Sequence, residues 1–215
     1  MAQISGLLAF ICFAITSSSF AQSPPPGTPE FQAIAATNKT LKAIQGGGYV
    51  LYMRHGYTDN TKPDLPNLDL NDCSTQRPLT QEGRELAAVV GANIRKAKIP
   101  YNEVFSSPLC RARESAKLAF GESVRIDPNL MYTSNLTSED KKPILIATRH
   151  LISQPPQRGS NRIVIAHAPN MFDLMGYFVK PEGTVVILKP LGNEQFEYVA
   201  SIPPTAWAEL LKTAK

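Results

Sequence analysis

Two histidines and two arginines stand where short apolar runs end. Arg54 and His55 directly follow Tyr49-Val50-Leu51-Tyr52-Met53, Arg111 lies just beyond Glu103-Val104-Phe105-Ser106, and His167 follows Ile163-Val164-Ile165-Ala166. A neutral imidazole is a competent nucleophile near neutral pH and can carry a covalent intermediate. A guanidinium offers a planar fork that matches a tetrahedral oxyanion better than an ammonium does. Phosphoryl transfer asks for this combination, because its charge spreads over three equatorial oxygens while the attacking and leaving groups stay in line. Fixed cations around those oxygens supply most of the catalysis. Other chemistries lack their signatures. The chain's three histidines and its cysteines show no zinc-ligand spacing, and there is neither a Walker A loop nor a G-x-S-x-G elbow.

The elements that must position these residues read as alternating strands and helices. Glu30 to Gln45 is helix-compatible and ends at Gly46-Gly47-Gly48. Tyr49 to Met53 is a continuous apolar run, as in a strand buried on both faces. Tyr57 to Pro78 is polar, rich in Asp, Asn and Pro, and too irregular for either element. Thr80 reads as an N-cap, with Glu82 in the first turn and Leu86, Val90, Ile94 and Ala97 along one face. Glu103 to Ser106 predicts a second strand and Arg111 to Phe120 a second helix; a weaker helix is expected near Pro143 to Ile152. Ile163 to Ala166 is another buried strand, with a helix from about Pro169 to Phe178. Val185 to Leu188 and Phe196 to Ser201 complete the sheet, and Thr205 to Lys212 forms a last helix. Such alternation predicts an α/β fold with a largely parallel sheet covered on both faces. Ligands of such sheets bind beyond the carboxyl ends of the strands, which is where Arg54, His55, Arg111 and His167 fall.

The chain's 215 residues suit one sizeable α/β domain, and 43% hydrophobic residues suffice for its core. The net charge of +4 is spread without any Lys/Arg block, which argues against nucleic acid and fits a small anionic substrate drawn to a locally basic pocket. Ile4 to Thr16 is uncharged and apolar, and Ser19-Phe20-Ala21 reads as a small-x-small cleavage site. The expected organisation is a signal peptide over 1–21, a Pro-rich linker over 22–29 and one domain over 30–215. An uncleaved anchor is the alternative, since no Lys or Arg precedes the run. Cleavage discards Cys12 and leaves Cys73 and Cys110, an even pair that in an exported protein suggests one disulfide; two buried thiols are the other reading. The N-x-T sequons at Asn38 and Asn135 matter only in a eukaryotic source.

Four blocks now add to that reading. Leu51-Tyr52-Met53-Arg54-His55-Gly56 resembles the R-H-G signature of the histidine phosphatase superfamily, in its phosphoglycerate mutase-like branch. Arg77-Pro78-Leu79-Thr80-Gln81-Glu82-Gly83 resembles that family's R-P-L-T-x-x-G helix start, and Ser106 to Ala116 its S-S-P-x-x-R-A-x-x-T-A segment. Ile163 to His167 resembles the strand bearing its second histidine. The resemblance implies a three-layer α/β/α sandwich with a mostly parallel central sheet. It implies His55 as the nucleophile that carries the phosphoryl group, with Arg54, Arg111 and His167 on the non-bridging oxygens. Thr58 and the backbone near Ala168 would be further phosphate contacts, and water would hydrolyse the phosphohistidine without metal or other cofactor. Arg77 is expected to order its loop and Asn170 to cap a helix or support the site. A Cys73–Cys110 bond would tether the loop after His55 to the segment presenting Arg111. Relatives also place an acidic proton donor near Tyr132, where this chain reads Asp127-Pro128-Asn129-Leu130-Met131-Tyr132. The other branch places Asp where Ala168 stands. Glu139, Asp140 and Asp59 are the alternatives, and without a donor aryl phosphates would be cleaved better than alkyl phosphates.

The function implied is hydrolysis of a small phosphorylated substrate in the periplasm or outside the cell, with envelope sugar phosphates among the candidates. A mutase fits less well, because glycolytic intermediates are not exported. A phosphoramidate or phosphohistidine phosphatase needs less leaving-group acid. A non-catalytic binder of phosphorylated envelope ligands is the reading from a different class.

Overall fold

A computed structural model describes residues 30–212; the expected leader and linker at 1–29 and the last three residues lie outside it. Among the described residues there are six strands, β1 (Val50–Arg54), β2 (Tyr101–Ser106), β3 (Arg125–Ile126), β4 (Asn161–Ala166), β5 (Val185–Gly192) and β6 (Gln195–Ile202). Six helices accompany them, α1 (Asn38–Gln45), α2 (Gln81–Lys96), α3 (Cys110–Phe120), α4 (Ser138–Ser153), α5 (Ala168–Met175) and α6 (Trp207–Lys212). The strands form one sheet in the order β3-β2-β4-β1-β5-β6. β1, β2, β3 and β4 pair in parallel, while β5 runs antiparallel to both β1 and β6. The fold is the expected α/β class with a mostly parallel sheet.

The buried strands sort their side chains by the two-residue period. Leu51, Met53, Ile163, Ile165, Val185 and Ile187 face one core with α1, α2, α3 and α6. Val50, Tyr52, Val164, Ala166, Val186 and Leu188 face the other with α4 and α5. Every residue of β4 is buried, and so are the first four of β1. This accounts for runs that are apolar throughout rather than alternating.

Several boundaries differ from expectation. Residues 31–36 are not helical: Ala35 bridges Ser201 of β6, the Ala36 amide donates to Ser201 O, and the Ser201 amide donates to Ile34 O. The helix starts only where Thr37 and Thr40 form a reciprocal cap. Strand pairing thus overrides the helix propensity of the stretch before it. α4 begins five residues before Pro143, because Thr137 caps it through the Asp140 amide and Glu139 and Asp140 occupy the first turn. α5 stops at Gly176, whose left-handed conformation ends it before Tyr177 and Phe178. The two-residue β3 was not expected from the sequence.

Candidate active site

The carboxyl ends of β1, β2 and β4 lie side by side, so the residues that leave them are neighbours. His55 accompanies β4 one step past β1, its amide donating to Ala166 O at 3.2 Å, and Ser107 does the same past β2 through Ile165 O at 2.9 Å. His167 caps α5. The rings of His55 and His167 are 5.3 Å apart between centroids, and both are buried, at 2% and 0% exposed.

Local packing fixes the nucleophile candidate. Gly56 approaches Gly83 of α2 so closely that a Cβ on Gly56 would stand 2.1 Å from the Gly83 carbonyl oxygen. The helix start capped by Thr80, whose Oγ accepts the Gly83 amide at 3.0 Å, is thereby pressed against the turn that carries His55. Ser115 of α3 accepts the Gly56 amide at 3.0 Å and donates to Arg111 O at 2.7 Å, linking the third block to the first. His55 Nδ1 lies 2.8 Å from Gly56 O. A carbonyl only accepts, so Nδ1 bears the proton and Nε2 is left with its lone pair.

His167 is gripped through its backbone. Tyr52, buried in β1, donates its hydroxyl to His167 O at 2.7 Å and accepts the His167 amide at 3.0 Å. Ser107 Oγ is 2.7 Å from His167 Nε2, and where Ser107 donates, His167 carries its proton on Nδ1. Burial first, and then the Arg111 guanidinium, hold both imidazoles well below their ordinary pKa. Both are therefore neutral at neutral pH.

The arginines are held by carboxylates that the sequence reading did not single out. Arg54 donates to Val179 O at 2.7 Å and pairs with Glu182. Arg111, fully buried, donates Nη1 to Asp64 at 2.9 Å, and the same Asp64 oxygen accepts the Arg77 amide at 2.8 Å. These contacts leave Arg54 Nε, Arg77 Nε, Arg111 Nε and Nη2, and His167 Nδ1 buried without a partner among the described residues. Nε and Nη2 of Arg111 form one edge of its fork. Arg77, expected only to order its loop, adds positive charge that helps depress both histidines. Its loop role is also present, through Nη1 on Asn60 at 3.3 Å.

Thr58 is half-buried where the loop after His55 bridges Leu79, and Ala168 is buried as the first residue of α5. Asn170 is buried and donates Nδ2 to Met131 O at 2.8 Å. Cys73 and Cys110 are joined in a disulfide. The three candidate acids have other partners: Asp59 accepts from Thr61 and pairs with Lys62, Glu139 pairs with Lys142, and Asp140 accepts from Thr137. His150 is on the surface with Glu194, and Trp207 is buried in the core. Among the described residues no group of three His, Cys, Asp or Glu side chains is placed to hold a metal.

The family model for the histidine phosphatase superfamily (branch 1) matches residues 50–152, which takes in Arg54, His55 and Arg111. His167 lies beyond it and is brought in by β4. No curated protein sequence matches. The structure of the open reading frame Rv3214 from Mycobacterium tuberculosis superposes with a TM-score of 0.52 at 13% identity, covering 71% of this chain and 96% of that one. The ecdysone phosphate phosphatase from Bombix mori, in complex with tungstate, does so at 0.50 and 16%, covering 73% and 93%. The protein histidine phosphatase SixA complexed with tungstate gives 0.49 and 16%, with 73% and 97% covered. The first two likenesses establish the shared fold.

Proposed function

This chain belongs to the histidine phosphatase superfamily and is a phosphatase, and from that premise we propose that it hydrolyses phosphate monoesters through a phosphohistidine on His55. The observation that carries the reading is the set of five buried nitrogens on Arg54, Arg77, Arg111 and His167 that lack partners among the described residues. Buried donors of this kind are rare and need acceptors, which the three equatorial oxygens of a phosphoryl group would supply.

In this reading His55 Nε2 attacks phosphorus while Nδ1 keeps its proton and donates it in a hydrogen bond to Gly56 O, so the ring does not turn during transfer. Arg54, Arg111 and His167 bind the non-bridging oxygens, with Thr58 and the amide end of α5 at Ala168 as further contacts. Water then attacks the phosphohistidine and releases phosphate. The chemistry draws on fixed cations and requires no metal, so turnover in EDTA is the expected result.

The substrate is a small phosphorylated molecule met outside the cytoplasm. The apolar leader read from the sequence and the Cys73–Cys110 disulfide support that location, since such bonds persist in oxidising compartments. No helix among the described residues is long and apolar enough to cross a membrane.

The test is turnover of p-nitrophenyl phosphate by the purified chain and by His55→Ala. Trapped phosphohistidine and loss of at least about 10³-fold in the variant are expected, by analogy with removing a nucleophile. Equal turnover by both proteins would exclude His55 as nucleophile. Binding of phosphate without turnover would favour the non-catalytic reading.

A further inference from the structure

A departing alkoxide must receive a proton, and the carboxylates around this site are poorly disposed to give one. Asp64 and Glu182 are engaged as acceptors by Arg111 and Arg54, and an ionised carboxylate has no proton to donate. Hydrogen bonds from Thr61 hold the Asp59 carboxyl below its ordinary value. Glu139 and Asp140 belong to the first turn of α4, where Lys142 and Thr137 engage them.

Tyr132 is placed differently. Its ring centroid lies 5.2 Å from the Arg111 guanidinium carbon and 5.4 Å from the His167 ring, which it meets nearly edge-on at 84°. The residues on either side of it are tied to α5, the helix that His167 caps. Asn170 Nδ2 donates to Met131 O at 2.8 Å, and Thr133 Oγ1 donates to Asp173 at 2.6 Å. Lys141 closes the strap on the other Asp173 oxygen at 3.2 Å. Tyr132 is thus clamped between two anchors on the element that presents His167. Its side chain is half-buried at the edge of the site, and among the described residues its hydroxyl has no hydrogen-bond partner. Negative charge on that oxygen would be felt by both Arg54 and Arg111.

We propose that Tyr132 is a catalytic residue, the proton donor to the leaving oxygen when His55 takes the phosphoryl group. The inference rests on the phosphoryl-transfer reading above and gives it a leaving-group range. As the His55 Nε2–P bond forms and the P–O bond breaks, the phenol proton passes to the departing oxygen, releasing an alcohol. The charge of the phenolate left behind is offset by Arg111 and Arg54. Water next attacks phosphorus, its proton returns to the phenolate, and the N–P bond breaks to give phosphate and neutral His55. The net change is ester plus water to alcohol plus phosphate. Alkyl phosphates come within reach, in place of the preference for aryl esters expected when no donor could be assigned.

The experiment compares kcat/KM of the unaltered protein and Tyr132→Phe on p-nitrophenyl phosphate and on glycerol 2-phosphate. The phenylalanine keeps the ring against Arg111 and His167 and removes only the hydroxyl. Turnover of the alkyl ester is expected to fall about 10²–10⁴-fold, the usual worth of a positioned acid, with aryl turnover nearly unchanged, which also shows the variant to be folded. Equal losses on both esters, no loss on either, or an unaltered protein inert toward the alkyl ester would each overturn the assignment. His55→Ala on the aryl ester tests the underlying reading separately. If that variant loses turnover while Tyr132→Phe shows no split, only the tyrosine's role falls; if the unaltered protein cleaves neither ester, both fall.

Discussion

Arg111 is a fully buried charge, and burying such a group is costly to the extent that its donors go unmatched. Asp64 matches one of them and, by holding Nη1, leaves the Nε–Nη2 edge without a partner among the described residues. The contribution of this arginine is therefore a direction as well as a charge. Arg111→Lys separates the two, since an ammonium keeps the charge but cannot offer a flat two-donor edge. We expect kcat/KM on p-nitrophenyl phosphate to drop about 10²–10³-fold, the cost of losing one oriented donor in a site of this kind, with the far-UV circular dichroism unchanged. A lysine variant within a few-fold of the unaltered protein would mean that the site needs only net charge. Tyr52 makes a related point from the core. It reads as one more apolar residue of a buried strand, yet its hydroxyl holds both backbone polar groups of His167.

At the level of elements, the long segment after His55 is irregular but not loose. The Cys73–Cys110 disulfide joins it to the first residue of α3, Gln76 Oε1 accepts the Cys110 amide at 2.7 Å, and Leu65 N bonds Thr75 O at 2.9 Å. The segment delivers Asp64 and Arg77 to the residue that follows Cys110. Closing a loop over a separation of 37 residues is worth about 4 kcal/mol in the chain-entropy model. The Cys73→Ser/Cys110→Ser double variant should lose about that much in urea unfolding and show a raised KM as Asp64 loosens its hold on Arg111. Identical midpoints for the two proteins would show the bridge to be thermodynamically idle. These elements were unequally legible in the sequence. β1, β4 and β5 announce themselves as continuous apolar runs, and Thr80 marks its helix because an N-cap is a local, chemical signal. The partners of Asp64, Glu182 and Tyr132 were not readable, because each lies in a loop whose neighbours are set by contacts dozens of residues away. The start of α1 differs from expectation for a similar reason, as Ile34 and Ala36 bond their backbone to Ser201 of β6 rather than within a helix.

Across the whole molecule, two cores hold the sheet from both sides and leave the polar groups to gather at one carboxyl edge. Concentrating His55 and His167 there, buried and beside Arg54, Arg77 and Arg111, has a cost that can be read in solution. Both imidazoles are held well below their ordinary pKa in the folded chain, burial being the main cause, whereas in the unfolded chain they protonate near about 6.5. The unfolded state therefore binds more protons as pH falls below that value, and stability must fall with it. Above about pH 6.5 the full stability is present. Below it, two such histidines can remove up to about 2.7 kcal/mol per pH unit until the folded-state imidazoles themselves take protons. Carboxylates enter mainly nearer pH 4, so the window from about 6.5 to 5 belongs to the histidines. Urea unfolding across that window should show a steep loss in the unaltered protein and a much flatter one in a His55→Asn/His167→Asn double variant. Added inorganic phosphate should also flatten the profile, because an oxyanion among these groups favours a charged His167 and brings the folded state's proton uptake closer to that of the unfolded chain. Parallel slopes in the two proteins would mean that the acid sensitivity arises elsewhere and that the paired imidazoles are not held neutral by their surroundings.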